Sequence, residues 1–307
     1  MDRLAVGIEE VLHLLVPWEF SPTLLVLFLL SAVLFWRGSR VMTISIWRPI
    51  LFWSGWLLLY LSMHTQLDYY AERVFYIHRI QHVILHHLSP LMIMASYPGQ
   101  VMMRGMPFTI RYRFRSLKHT LLGKCLIGLM TNKVLVPFLF VFLVLVWLIP
   151  KVQFYAMLDW QLYRLMNWSV VLTGFMYWNL ILDRRPSIPR KITAKHPIGR
   201  FFQRFVLGGH PAVMSVTERI LSPIFTMLPQ LIVGIWIVLT TTNLYPLFEL
   251  CGRAVNISSM DDQRLGAFIL WVPAALVETF GLVVALMNYL SLSSKGRLAR
   301  ANRAKED

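Results

Sequence analysis

Four of the nine histidines fall within ten residues, in the run Tyr76-Ile77-His78-Arg79-Ile80-Gln81-His82-Val83-Ile84-Leu85-His86-His87-Leu88-Ser89-Pro90. His78, His82 and His86 recur at every fourth position, so on an α-helix they form one stripe, each ring about 6 Å above the next. His87 points roughly 100° away from that stripe. Neutral imidazole is a common ligand for copper and zinc, and two histidines at i and i+4 can hold one ion from a single helix face. Met63, His64 and Asp68 lie just upstream and are candidates to complete the site. Thioether sulfur favours Cu(I), and Met92 and Met94 follow on the same helix. Asp262 opens the last apolar stretch, where it either caps a helix or reaches over the mouth of the bundle towards His78 or His82. The candidate metal ligands are therefore His78, His82, His86, His64 and Asp262, with copper the candidate metal where thioether sulfur takes part and zinc open from imidazole alone. Proton handling, or hydrogen bonding between helices without a metal, remain open readings of the same stripe.

Other chemistries find less support. A bis-histidine haem needs ligands from two helices, and only His64, at a helix end, could supply the second. His13, His119, His196 and His210 sit in terminal or loop segments and read as solvated side chains. No nucleophile–base pair, phosphate loop, His-Glu-x-x-His motif or paired-carboxylate site occurs, so no enzyme is expected. Cys125 and Cys251 are too few and too distant for a disulfide framework or a zinc motif. Glu278 lies about 24 Å beyond Asp262 along a helix, too deep to join an outer site directly. Asn167 is a plausible interhelical hydrogen bonder.

The elements that must position these residues are membrane helices. Hydrophobic residues make up 57% of 307 and charged residues 15%, with mean hydropathy +0.58. A soluble domain carries about 25% charged residues. Seven stretches are long and apolar enough to span, at about 20–36, 45–63, 75–97, 134–150, 160–182, 220–242 and 264–290. Residues 1–19 read as an amphipathic lead-in rather than a signal peptide, since Glu9, Glu10 and Glu19 replace a basic start. The net charge is +15, and its distribution is topological. Segments 37–48, 99–132, 183–217 and 291–307 hold 3, 6, 7 and 5 Lys or Arg, 21 of the 30, while the alternate segments 1–19, 64–74, 151–159 and 243–262 hold one each. That alternation predicts an all-α, polytopic bundle of about seven transmembrane helices over 20–290. Its N-terminus lies outside, and a basic cytoplasmic tail follows at 291–307. The excess charge is an orientation signal with anionic headgroup contact, and no nucleic-acid partner is expected.

At the histidine helix the sequence resembles the CtaG family of cytochrome c oxidase assembly factors. The matching residues are His78-Arg79-Ile80-Gln81-His82 with its apolar run, Leu88-Ser89-Pro90-Leu91 and Tyr97-Pro98. A second match is Asp262-Gln263-Arg264-Leu265-Gly266-Ala267 ending at Trp271, and weaker echoes are Trp18, Arg37-Gly38 and Gly174-Phe175-Met176-Tyr177-Trp178. Departures are Arg79 for a Met, Ala267 for a Gly, and Tyr163 and Asn167 where members often carry a His-x-x-x-His pair. The resemblance implies a non-catalytic assembly factor in the bacterial inner membrane. Its implied partners are a haem-copper oxidase subunit, the lipid bilayer and a periplasmic copper chaperone. A copper or proton transporter, or a metal-free scaffold, are the alternatives.

Overall fold

The computed structural model describes residues 17–18, 20–185, 196, 214–250, 252–294 and 296. The greater part of the lead-in, the thiol of Cys251, His13, His210 and the tail from 297 lie outside the described residues. His119 and His196 are exposed.

Every regular element among the described residues is helical. Helix α1 spans Pro22–Val41, α2 Trp47–His64, α3 Gln66–Arg73 and α4 Phe75–His82. A π-helical turn, Val83–Leu88, continues directly from α4 and runs into α5, Ser89–Ala95. Three short helices follow: α6 Pro98–Gly105, α7 Phe108–Leu117 and α8 Leu121–Met130. Then come α9 Leu135–Leu148, α10 Pro150–Leu158, α11 Trp160–Ile181, α12 Val216–Leu239, α13 Leu247–Leu250 and α14 Ser259–Ser294. By length and hydropathy α1, α12 and α14 can each cross a membrane, and α8 with α9, bent by 61°, can do so as a pair. The predicted stretches 45–63, 75–97 and 160–182 are helical as well, but among the described residues their helices are not long and apolar enough to cross by the same measure; polar residues such as Arg48, His78, Gln81, Gln161 and Arg164 lower their hydropathy.

The surface is inside-out relative to a soluble fold. Leu30, Phe138, Phe225, Trp236, Phe280 and Met287 are exposed, while Arg79, Gln81, Asn167, Gln230 and Glu278 are buried. Lipid is the solvent that suits such an exterior, and the interior must satisfy its own polar groups.

Contacts gather the helix ends at two poles. At one, Arg48 donates from Nε and Nη2 to the carbonyls of Ser96 and Tyr97, both at 2.8 Å. There too Lys133 pairs with Glu218 at 2.6 Å, Arg219 donates to the carbonyls of Asp183 and Arg185, and Asn288 donates to Tyr97 Oη. At the other, Pro17 bridges Thr65, Tyr163 Oη donates to Asp68, and Tyr245 Oη donates to the carbonyl of Leu148. Successive long helices therefore run back and forth between the poles. Close approach at the first pole depends on glycine, because a Cβ on Gly38 of α1 would collide with the Val101 carbonyl of α6.

Candidate functional site

The histidine helix is held in the centre of the bundle, packed by α2, α11 and α14. Its first turn is anchored from a distance in sequence. Asp262 Oδ2 accepts from Phe75 N at 3.1 Å and Oδ1 from Tyr76 N at 2.8 Å. A helix N-terminus presents unsatisfied N–H groups and a positive dipole end, and a carboxylate answers both. Arg253 Nη1 balances the charge at 2.7 Å from Oδ2. The neighbouring Gln263 takes Leu244 N at 2.8 Å and donates to the Thr242 carbonyl, fixing the loop before α13. Gly266, one turn on from Asp262, leaves room for the Phe75 ring. The Asp-Gln-x-x-Gly run thus docks α14 onto the start of α4. Asp262 caps that helix rather than its own, while Asp261 pairs with Ser258.

His78 and His82 stand together, ring centroids 4.5 Å apart, both buried. Both ring nitrogens of His78 and Nε2 of His82 are buried without a hydrogen-bond partner. Gln81, between them on the helix, donates to the Ser62 carbonyl at 2.7 Å and to Asp68 at 2.6 Å. Tyr163 Oη donates to the same carboxylate oxygen at 2.6 Å, and its ring lies 6.4 Å from that of His78. Asp68 is therefore the hub of a polar network joining α3, α4 and α11. Tyr163 and Asn167 also line a cavity of about 190 Å³ with Asp68, Glu72 and Arg164. His64 is buried at the end of α2, but its ring neighbours are Phe20 and Tyr60. Arg79 is buried over the Phe75 ring, with Nε and Nη2 unpartnered.

His86 departs from the predicted stripe. In the π turn the N–H of Ser89 bonds the carbonyl of Ile84, five residues back, so the backbone is underwound there. Pro90 explains why: proline has no N–H for the His86 carbonyl and its ring crowds that oxygen. Gly174 of α11 receives the displaced carbonyl, since a Cβ there would collide with His86 O and stand 3.0 Å from Pro90 Cγ. The result turns His86 onto Phe140, rings stacked at 4.0 Å, and sets its Nδ1 3.2 Å from His87 Nε2. His87 Nδ1 in turn lies 3.4 Å from Glu278 Oε1. Glu278 also accepts from Thr226 Oγ1 at 2.9 Å and Gln230 Nε2 at 3.1 Å, and Tyr177 Oη lies 3.1 Å from Thr226 Oγ1. A second buried polar cluster, His86–His87–Glu278–Thr226–Tyr177, thus lies along the helix from the first.

Of the five candidate ligands the structure brings together His78 and His82. His86 joins the second cluster, Asp262 is engaged at the head of α4, and His64 faces aromatic rings. Among the described residues no three His, Cys, Asp or Glu side chains converge as a metal-holding group. Sequence reasoning missed the roles of Gln81, of His87 and of the π turn, and Pro90 four residues after His86 was the available signal.

A family model described as "Cytochrome c oxidase caa3 assembly factor (Caa3_CtaG)" matches residues 26–208 and 197–291, most of the chain. No curated protein and no solved structure matches.

Proposed function

Since the chain belongs to the cytochrome c oxidase caa3 assembly factor family, we propose that it aids maturation of a haem-copper oxidase by holding Cu(I) in transit between His78 and His82. The observation that carries this reading is the set of three imidazole nitrogens on that pair, buried and without partners. A buried polar atom left unsatisfied costs about 1–3 kcal/mol, and an ion held between the two rings would supply the missing partner for nitrogens of both. Imidazole suits copper, and Cu(I) accepts few ligands, which fits two rings better than it fits zinc. The copper is cargo, and the protein performs no covalent chemistry on it.

The same reading includes seven membrane crossings in a bacterial inner membrane, with the N-terminus outside and the C-terminus cytoplasmic. The back-and-forth course of the helices and the gathering of Arg48, Arg184, Arg185, Lys133 and Arg219 at one pole support it. The histidine pair then lies towards the outer pole, where a periplasmic copper chaperone delivers and an oxidase subunit receives. In cells lacking the protein, the wild-type chain is expected to restore oxidase activity. The His78→Ala/His82→Ala chain is expected to leave oxidase subunits present but inactive, and full activity with that variant would refute the copper-holding role.

Arg79, where the family pattern has Met, stands between His78 and His82 on the same helix, buried with them, and its positive charge opposes a cation there. Arg79→Met is expected to tighten Cu(I) binding by about fivefold or more, one charge at short range being worth about 1 kcal/mol even in high dielectric. Competition against a Cu(I) chelator of known affinity measures it.

A second reading is favoured by the inner cluster. His86, His87 and Glu278 continue the polar path past the first pair, as a copper or proton transporter would require. Copper uptake into proteoliposomes, or proton uptake under an imposed pH gradient, supports transport; its absence with oxidase maturation intact supports the assembly role alone.

A further inference from the structure

We propose that a cleft formed by α6 and α7 at the basic pole is a binding site for an anionic phospholipid. Four cations, Arg104, Arg111, Arg115 and Lys118, line one cleft of about 840 Å³, and no acidic residue lines it. Among the described residues no ion pair reaches any of the four. Converging like charges raise the local potential and oppose one another, so the arrangement favours an anion between them.

The local sequence builds that surface deliberately. Arg111, Arg115 and Lys118 stand at i, i+4 and i+7, so they share one face running along α7 and just past its end. No residue of α7 is buried, and Phe108, Ile110, Tyr112, Phe114 and Leu117 are all exposed beside the arginines. A cationic face flanked by exposed apolar side chains is the pattern of a helix lying in a membrane interface. The N-terminus of α6 opens on the same cleft at Gly99 and Gln100, and Tyr97 gives it no side-chain cap. Its free N–H groups add to the anion preference.

The other half of the lining selects a lipid over free phosphate. Met42, Met102, Met103 and Met106 form an apolar floor at the end of α1, a membrane-crossing helix. A phosphate diester against the cations, with its acyl chains along the thioethers, satisfies both halves. Free phosphate would leave the floor uncovered.

The test is titration of the purified full chain, in neutral detergent, with fluorescent phosphatidylglycerol, using fluorescent phosphatidylcholine and inorganic phosphate as comparison arms. Phosphatidylglycerol is expected to bind at least about tenfold more tightly than phosphatidylcholine, and Arg111→Gln/Arg115→Gln/Lys118→Gln to lose about tenfold or more of that affinity. The Arg111→Lys/Arg115→Lys variant should retain it. Because α7 contributes nothing to the core, these variants should keep the wild-type circular dichroism. Equal binding of the two lipids by the wild-type chain overturns the proposal even without the variants. So does unchanged binding by the glutamine variant, or displacement of the lipid by inorganic phosphate at equal concentration.

Discussion

Alanine in place of Asp262 is expected to destabilise the protein by about 3–5 kcal/mol, because it breaks a buried, hydrogen-bonded ion pair from one side. The carboxylate is 1% exposed and serves three donors at once: Phe75 N, Tyr76 N and Arg253 Nη1. Its loss strands two backbone N–H groups at the head of the histidine helix and leaves the Arg253 guanidinium without its closest counter-charge. Asp262→Asn keeps the shape and an acceptor, so its cost should be well below that of alanine. Unfolding of the two variants in mixed detergent micelles, followed by circular dichroism, gives the comparison. Equal stability of Asp262→Ala and wild type would mean that α4 is positioned by packing alone. His78 lies in the first turn of that helix, so a folded Asp262→Ala chain should also bind Cu(I) less tightly.

The second large effect is expected at Glu278. Replacing it with alanine removes the acceptor shared by Thr226 and Gln230 and the nearest carboxylate to His87, all of them buried. Loss of at least about 3 kcal/mol follows from several buried groups left unsatisfied together. Glu278→Gln retains volume and one acceptor, and is the variant that separates structure from function. Under the copper-holding account its Cu(I) content matches wild type, since His78 and His82 are untouched. A folded Glu278→Gln chain that has lost its copper would instead join the two clusters into one pathway and favour transport.

Apolar length located helices, because a spanning segment needs a long apolar stretch whatever its neighbours do, but among the described residues α1, α12, α14 and the bent α8–α9 pair alone are long and apolar enough to cross. The predicted stretch 160–182 became α11, Trp160–Ile181, and 220–242 became α12, Val216–Leu239. The pairing of His78 with His82 was legible for the same reason, since four-residue spacing on an undisturbed helix stacks two side chains. It failed one turn later because the regular repeat assumes α geometry throughout. Pro90 breaks that assumption at His86, and Gly174, 84 positions later in sequence, is needed to accommodate the result. Asp262 was expected either to cap its own helix or to reach towards His78 or His82, whereas the helix it caps begins 187 residues earlier, at Phe75. No periodicity carries that information. Residues 99–132, one of the basic segments of the charge alternation, divide into α6, α7 and α8 at Pro98, Pro107 and the Thr120 cap, whose Oγ1 accepts from Gly123 N.

Copper content, measured after loading with Cu(I) under reducing conditions and removing the excess, tests the central claim most directly. The wild-type chain is expected to retain about one copper, as two imidazoles on one helix face can hold a single ion, and the His78→Ala/His82→Ala chain none. Equal copper in the two proteins, or no copper in either, would contradict the assignment of that pair as the place where the metal is held.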